Sequence, residues 1–422
     1  MSNYPGQIDT FNTIGTTNYM DQAGYVLHTQ LNTHGSAVTN IENVLGTTGG
    51  TSIAKDFTAG EFAVARNSGG TVTDSLTLPS PVLSGTPVLS GTSAIPFYYQ
   101  GLFKNGIING NMDIMQRGTS WGTIAWNTNT FGPDRWNIYG GTQNAFSIQY
   151  ASAPTGSIYY LRCGRPNGGT EVSAGISCHY SFESLNSWQY RGQYVTVSFQ
   201  ARKGANYSAT GDGLSLTVYT GMGNDQKILT GFTNGTAVAG GVATLTSDWQ
   251  TFRFSSTDPL PSNITQIGLN INYVDHPNGT AGTADYYEFT QVQLHAGTVP
   301  VPFQPNIWGD EYARCLRYFY KINGTGVFYS IGSGVEVNTT VSIVNVNLPV
   351  QMRVVPGTLS YSDLGLSHGA GIIVGTSASI NSNSLNNVLV QINVASGLTT
   401  GYSCIGGLGT TANAYVSFFA EI

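Results

Sequence analysis

The sequence predicts a mainly β protein: antiparallel β-sandwiches of jelly-roll type in tandem, preceded by a short N-terminal helix and an extended, fibre-like segment. Three observations predict it. From Gly106 onward, apolar and polar residues alternate with period two, the pattern of a half-buried strand. Between the alternating runs lie clusters of Gly, Asn, Ser and Asp, and Gly alone accounts for 54 of the 422 residues. Such residues tolerate the positive φ of tight turns. Only 9 % of residues are charged, against roughly 25 % in an ordinary soluble domain, so hydroxyls and amides must carry solubility. With 40 % apolar and 11 % aromatic residues, the chain can still fill several cores and is not a disordered composition.

Residues 1–100 read differently from the rest. Val26, Leu27 and Leu31 begin a helical rhythm that Val38, Ile41, Val44 and Leu45 continue, ending at Gly46, a C-cap residue. A helix this short does not hold together alone in water. Its stripe of Val38, Ile41, Val44 and Leu45 therefore needs cover, from copies of itself on an oligomer axis, from its own chain or from a larger particle on which it docks. Further on, Pro81-Val82-Leu83-Ser84-Gly85-Thr86 repeats unchanged as Pro87 to Thr92. The repeat suits an extended connector whose prolines stop a sheet ladder; a chance duplication within a linker is the other reading.

Residues 101–305 are expected to form the first sandwich. Tyr194–Ala201, Leu214–Tyr219, Trp249–Phe254, Gln266–Tyr273 and Tyr287–Leu294 all alternate. Within 306–422 a linker helix from Trp308 to Tyr320 places Tyr312, Cys315, Leu316 and Phe319 on one side. A second sandwich follows, with strands around Val335, Val341–Val344, Val388–Val394 and Ala414–Ile422.

Several functions are disfavoured. A net charge of −6 and a pI near 5.4, without any Lys/Arg cluster, leave nothing to neutralise phosphates, so no nucleic acid is expected. No apolar run approaches the roughly 18 residues of a membrane span, and Met1 to Pro5 lacks the pattern of a signal peptide; a chain made in a cytoplasm is the expectation. Cys163, Cys178, Cys315 and Cys404 have no metal-site spacing. Cys163 and Cys178 are placed to face one another across strands, bridged or, as cytoplasmic assembly favours, as buried thiols. The six histidines form no paired motif, and the carboxylates Asp285 with Glu288, or Asp212 with Asp225, are scattered among loops. No acid, base and nucleophile can be assembled from this, and the chain is not expected to be an enzyme.

The stretch Asn105-Gly106-Ile107-Ile108-Asn109-Gly110-Asn111-Met112-Asp113-Ile114-Met115-Gln116-Arg117-Gly118 is followed by Asp134-Arg135-Trp136. Later come Val299–Pro305 and Glu311–Tyr320. In this order they resemble the "NGxMxxxQRG", "DRW", "TPFE" and "EELxxCxRYY" elements of bacteriophage tail fibres and other virion receptor-binding proteins, over roughly residues 105–320. Leu348–Gly357 resembles an element of fibre-tip domains. The resemblance implies a homotrimer held to other phage structural proteins through its N-terminus. It also implies a jelly-roll domain like a carbohydrate-binding module, and host-cell adsorption by binding a surface glycan. Its location would be the virion. A capsid or baseplate fibre or decoration protein without receptor binding, and a polysaccharide-degrading tail spike, are the alternatives. Which sugar, and which part of the particle, stay open.

Sugar binding needs flat aromatic faces and amides. In Thr119–Asn129 the indoles of Trp121 and Trp126 sit among Gly, Asn and Thr. Trp121 and Trp126 are candidate stacking platforms, or else packing residues, with Asn127 and Asn129 supplying amides and Tyr190 a further platform. Trp136 and Trp249 read as core. Tyr361–Asp363 and His368 are candidates at the tip. No cofactor is expected. A structural calcium is the one ion the resemblance suggests, but the family's acidic pair in the last strand is absent at Glu288–Val292. Asp113, Asp134 and Asp285 are then the only donors to weigh, and the metal stays unassigned.

Overall fold

The computed structural model describes residues 105–125, 127–140, 145–151, 153–169, 176–273, 280–368 and 371–422. The expected oligomerisation stripe of Val38, Ile41, Val44 and Leu45, the hexapeptide connector and Trp126 lie outside them. Among the described residues no helix is long and apolar enough to cross a membrane.

Twelve antiparallel strands build a sandwich. The first six are β1 (Ser120–Ile124), β2 (Thr128–Phe131), β3 (Asn137–Gly140), β4 (Ala145–Ala151), β5 (Tyr159–Gly164) and β6 (Ile176–Ser181). One helical turn, α1 (Ser184–Ser187), leads to β7 (Val195–Lys203), β8 (Gly213–Gly221) and β9 (Thr236–Thr244). Then follow β10 (Gln250–Ser255), β11 (Gln266–Tyr273) and β12 (Tyr286–Ala296). They pair as two six-stranded sheets, β1-β4-β5-β12-β7-β10 and β2-β3-β6-β11-β8-β9. Alternation decides what lies between them. Val195, Val197, Phe199 and Ala201 of β7 face inward, and Leu216, Val218, Leu269 and Ile271 meet them from the other sheet. The thiols of Cys163 and Cys178 lie in this core with their sulfurs 3.4 Å apart.

A helix, α2 (Trp308–Leu316), leads out of the sandwich. It is shorter than the periodicity predicts. Phe319 and Tyr320 are drawn instead into β13 (Phe319–Asn323), where they pair with Phe419 and Phe418. The remaining strands are β14 (Tyr329–Glu336), β15 (Val341–Asn347), β16 (Thr358–Ser362), β17 (Leu364–His368), β18 (Gly371–Asn383), β19 (Asn387–Val394), β20 (Ser403–Leu408) and β21 (Tyr415–Phe419). Where the sequence predicts a second open sandwich, six strands close as a barrel, β14-β15-β19-β18-β17-β20, beside a three-stranded sheet, β13-β21-β16. Closure removes the free edges that a sandwich would leave. Val344, Val346, Leu366, Val388, Val390 and Ile392 fill the barrel.

The sequence motifs lie at the sandwich end that meets the β13-β21-β16 sheet. Asn109, at φ 57°, bonds through its side chain to the backbone of Ile114 and Asp134. A Cβ on Gly110 would fall 2.0 Å from the carbonyl oxygen of Val292, so only glycine fits there. Trp136 donates its indole N–H to the Asn109 carbonyl at 3.0 Å. Arg117 and Arg135 both bind the Glu421 carboxylate and lie over the rings of Phe319 and Tyr318 at 3.6 Å. Glu183–Arg317 and Asp225–Arg353, both 2.7 Å, add two more ion pairs across the seam.

Candidate functional site

On the second sheet the period-two rule that sends Ile138, Cys178, Leu269 and Leu216 inward turns their neighbours outward. Register aligns those neighbours across four strands. Asn137 lies opposite His179, His179 opposite Asn270, and Asn270 opposite Thr217. In the next row Tyr139, Ser177, Asn272 and Ser215 line up in the same way. The result is an uncharged strip of amides, hydroxyls and one imidazole.

Four polar atoms of this strip are buried without a hydrogen bond: Asn137 Oδ1, His179 Nδ1, Asn270 Oδ1 and Asn272 Oδ1. Leaving such an atom unmet costs roughly 1–3 kcal/mol, so four on one face is a concentration that packing alone does not reward. Asn137 and His179 are only 8 % and 7 % exposed. The Asn137 amide is oriented by donating to Asn129 Oδ1 at 2.9 Å, which leaves its own oxygen unmet. His179 Nε2 lies 2.7 Å from Ser177 Oγ. Burial pushes its pKa down to about 4, so the ring is neutral near pH 7; with the proton on Nε2, Nδ1 is a bare acceptor. What the strip's three unmet amide oxygens lack is a donor within reach.

The outer face of the first sheet is the contrasting case. There Glu288, 1 % exposed, lies between Arg162 and Arg202 in register and bonds both. Tyr286 lies beneath Arg162 at 3.8 Å and Trp249 beneath Arg202 at 4.7 Å. Tyr160 meets Trp249 edge-on at 5.3 Å, and Gln200 donates to Gln291 at 2.8 Å. Trp249 is therefore half-buried on an outer face, a correction to its reading as core. The inward residues of that segment are Phe252 and Phe254, which leaves Trp249 on the other side of the alternation. Trp136 is core, packed on Tyr180 and Phe289.

The residues singled out from sequence divide. Asn127 and Asn129 reach the strip: Asn127, at φ 53°, accepts from the Tyr139 hydroxyl at 2.8 Å, and Asn129 accepts from Asn137. Trp121 is half-buried against the sandwich core with its indole nitrogen unpartnered. Tyr190 is corrected. It is 3 % exposed, packed on Phe182 at 6.0 Å, and donates its hydroxyl to Leu294 O at 3.3 Å, so it offers no face to a ligand. At the barrel, Asp363 accepts from Thr411 and His368 bonds the buried Glu336. Both hold strands together.

The carboxylates weighed for catalysis are committed to cations. Asp285 meets Arg165 at 3.1 Å, and Asp212 and Asp225 meet Lys203 and Arg353. Among the described residues no group of three or more His, Cys, Asp or Glu can hold a metal. Of the aspartates weighed for calcium, Asp285 faces a guanidinium and Asp134 accepts from Gln116 beside Arg117. Asp113 accepts the backbone N–H of Ile158 and Tyr159. Carboxylates held singly by guanidinium, amide or backbone N–H donors do not fit a calcium shell. Sequence reasoning missed Asn137, His179, Asn270 and Asn272. Their signal was the outward positions of strands filled with Asn, Ser and His, but only register shows that they align.

No family model matches the chain, and no curated protein does. Solved structures that are similar include the tandem CBM22-1–CBM22-2 domain of Paenibacillus barcinonensis Xyn10C, at 12 % identity and TM-score 0.26, covering 72 % of this chain and 98 % of that one. TmCBM61, solved with β-1,4-galactotriose, is 11 % identical with TM-score 0.26, over 46 % of this chain and 99 % of that one. The enzymatically active domain of tailspike protein 4 of bacteriophage CBA120 is 12 % identical with TM-score 0.28, over 46 % of this chain. This chain spans 21 % of that domain's length. At such identities and scores these likenesses carry no argument about function.

Proposed function

We propose that this chain is a glycan-binding fibre protein of a bacteriophage virion. In this reading the strip of Asn137, His179, Asn270 and Asn272 binds part of a host-surface glycan during adsorption. The observation that carries the reading is the set of four buried, unmet polar atoms on one uncharged face, three amide oxygens and one imidazole nitrogen. A glycan supplies hydroxyl donors at closely spaced positions and no charge, which is the complement of that face. Asn127 and Asn129 orient the strip from its β2 edge through Tyr139 and Asn137. The order of the fibre-like motifs supports the virion assignment and, with it, a homotrimer attached through the N-terminal segment. Three weak sites per fibre then act together through multivalency.

Binding proceeds without hydrolysis or a cofactor. Glycoside hydrolysis uses two carboxylates flanking the scissile bond, whereas Asp212, Asp225, Asp285 and Glu288 are each occupied by Arg or Lys. The test is adsorption by purified full-length protein to host cells and to their extracted surface polysaccharides. Asn137→Ala with His179→Ala should abolish retention while leaving the melting temperature within a few degrees. Undiminished binding by that double variant would refute the assignment of the strip. Release of oligosaccharides would favour the degrading-spike alternative.

A further inference from the structure

Beside the first turn of α2 lies a cleft of about 330 Å³, remote in sequence from the strip. Its polar walls are Asn111, Asp113, Ser157, Asn306 and Glu311, and its aromatic wall is Trp308. Trp308 is 57 % exposed, yet it is held flat. Tyr312 stacks against it with centroids 5.0 Å apart and planes within 13°. An indole fixed by a neighbouring ring and open on its other side is a preorganised platform, with little side-chain entropy left to lose on binding.

The polar groups around it are also oriented. Asp113 accepts the backbone N–H of Tyr159 at 3.0 Å and of Ile158 at 3.2 Å, and the Asn111 amide bonds its other oxygen. Glu311 is buried and takes Asn306 Nδ2 at 2.9 Å and Arg314 Nη1 at 3.0 Å. Ser157 Oγ is buried with no partner. Burial pushes the Asp113 pKa up to about 6, with Glu311 adding repulsion. Asp113 Oδ1 is filled by the two backbone N–H groups, while Oδ2 takes only the Asn111 amide and keeps room for one further donor.

We propose that this cleft is a second sugar-binding subsite, which stacks a neutral hexopyranose on Trp308 and accepts its hydroxyls at Asp113 and Ser157. The proposal rests on the glycan reading for the class of ligand, and on the cleft alone for its place. A platform, a carboxylate and amides converging on one cavity form a set that a pyranose satisfies, its apolar face against the indole and its hydroxyls on the rim.

Ligand-detected NMR on the full-length protein tests it. The probes are the methyl glycosides of glucose, galactose, mannose and N-acetylglucosamine. Trp308→Ala and Asp113→Asn should each weaken one sugar's binding about tenfold, the equivalent of about 1.4 kcal/mol. Trp308→Phe should restore part of it, and all three variants should leave the strip intact. Asn137→Ala with His179→Ala should spare the cleft signal. If no probe binds the wild-type chain, the glycan reading itself fails and the subsite with it. If a probe binds and only the strip variant removes it, the cleft proposal alone is overturned. Ile158 and Ile307 are exposed beside the cleft. A change of oligomeric state in Trp308→Ala with unaltered sugar binding would make this surface a subunit interface and equally overturn the proposal.

Discussion

The two outer faces of the sandwich are built from the same alternation and differ in how their polar groups are met. The first sheet pairs Glu288 with Arg162 and Arg202 and Gln200 with Gln291, whereas the second leaves Asn137 Oδ1, His179 Nδ1, Asn270 Oδ1 and Asn272 Oδ1 unmet. The lesson concerns what buried polarity means. A closed network, such as Arg162–Glu288–Arg202, needs nothing from outside, and its aromatic residues are already covered by guanidinium groups. An open one stores a deficit that a ligand can fill. By composition alone the first face, with its Tyr, Trp and Arg, looks the better sugar site. By its unmet hydrogen bonds the second does.

The largest effect should come from breaking the closed face. Glu288→Ala leaves two arginines without their shared partner. Removing one member of a buried ion pair costs about 3–5 kcal/mol. Because Arg162 and Arg202 are 19 % and 30 % exposed at their side chains, solvent screening brings the expected loss to about 2–3 kcal/mol. Chemical denaturation should show this as a lower midpoint, while glycan retention by the folded protein stays unchanged. Lost retention at full folding would mean that the closed face binds the ligand, and the comparison would be reversed.

Much of the fold was legible because alternation survives tertiary context. The segments around Tyr194, Leu214, Gln266 and Val388 became β7, β8, β11 and β19. The motifs that gave the family resemblance were legible too, but they report on architecture. Arg117 and Arg135 clamp the sandwich to the C-terminal strands through Glu421, Asn109, Gly110, Asp134 and Trp136 fix the segment that carries them, and none of them lies on the strip. The candidate site was legible only at its edge, in Asn127 and Asn129. Its centre depends on which outward residue of β3 meets which of β6 and β11, and pairing between distant strands leaves no local trace. Tyr190 is opaque for a related reason. A Trp-Gln-Tyr run looks exposed until Phe182 and the Leu294 carbonyl are found on its far side.

A smaller effect separates the faces by pH. His179 has an ordinary pKa of 6.5 when unfolded and about 4 when folded. Between those values the unfolded chain binds more protons, so the stability His179 contributes is present above pH 6.5 and lost as pH falls toward 4. Asp113 and Asp134, raised from 3.8 to about 6, act in the opposite sense, since their preference for the folded state fades as pH rises through 6. The whole-protein profile therefore mixes the two. Comparing wild type with His179→Gln isolates the histidine: the variant should gain on wild type by about 2 kcal/mol between pH 6.5 and 4.5. Parallel denaturation curves over that range would mean the imidazole is solvated, and the strip would lose its most buried acceptor.

The smallest effect on stability should carry the clearest sign. Asn270→Ala removes an acceptor that has no partner in the folded chain, so little native hydrogen bonding is lost with it. Replacing an unmet buried amide by a methyl removes a desolvation cost, and stability should hold or rise by up to about 1 kcal/mol. Its neighbours in register, His179 and Thr217, keep their positions because the sheet ladder fixes them. Glycan retention should nevertheless fall about tenfold, the value of one hydrogen bond of about 1.4 kcal/mol. Gain of stability with loss of binding is the signature of a residue kept for a ligand. If Asn270→Ala instead destabilises the protein by more than about 1 kcal/mol, the amide serves the sandwich as Glu288 does, and the two faces are alike after all.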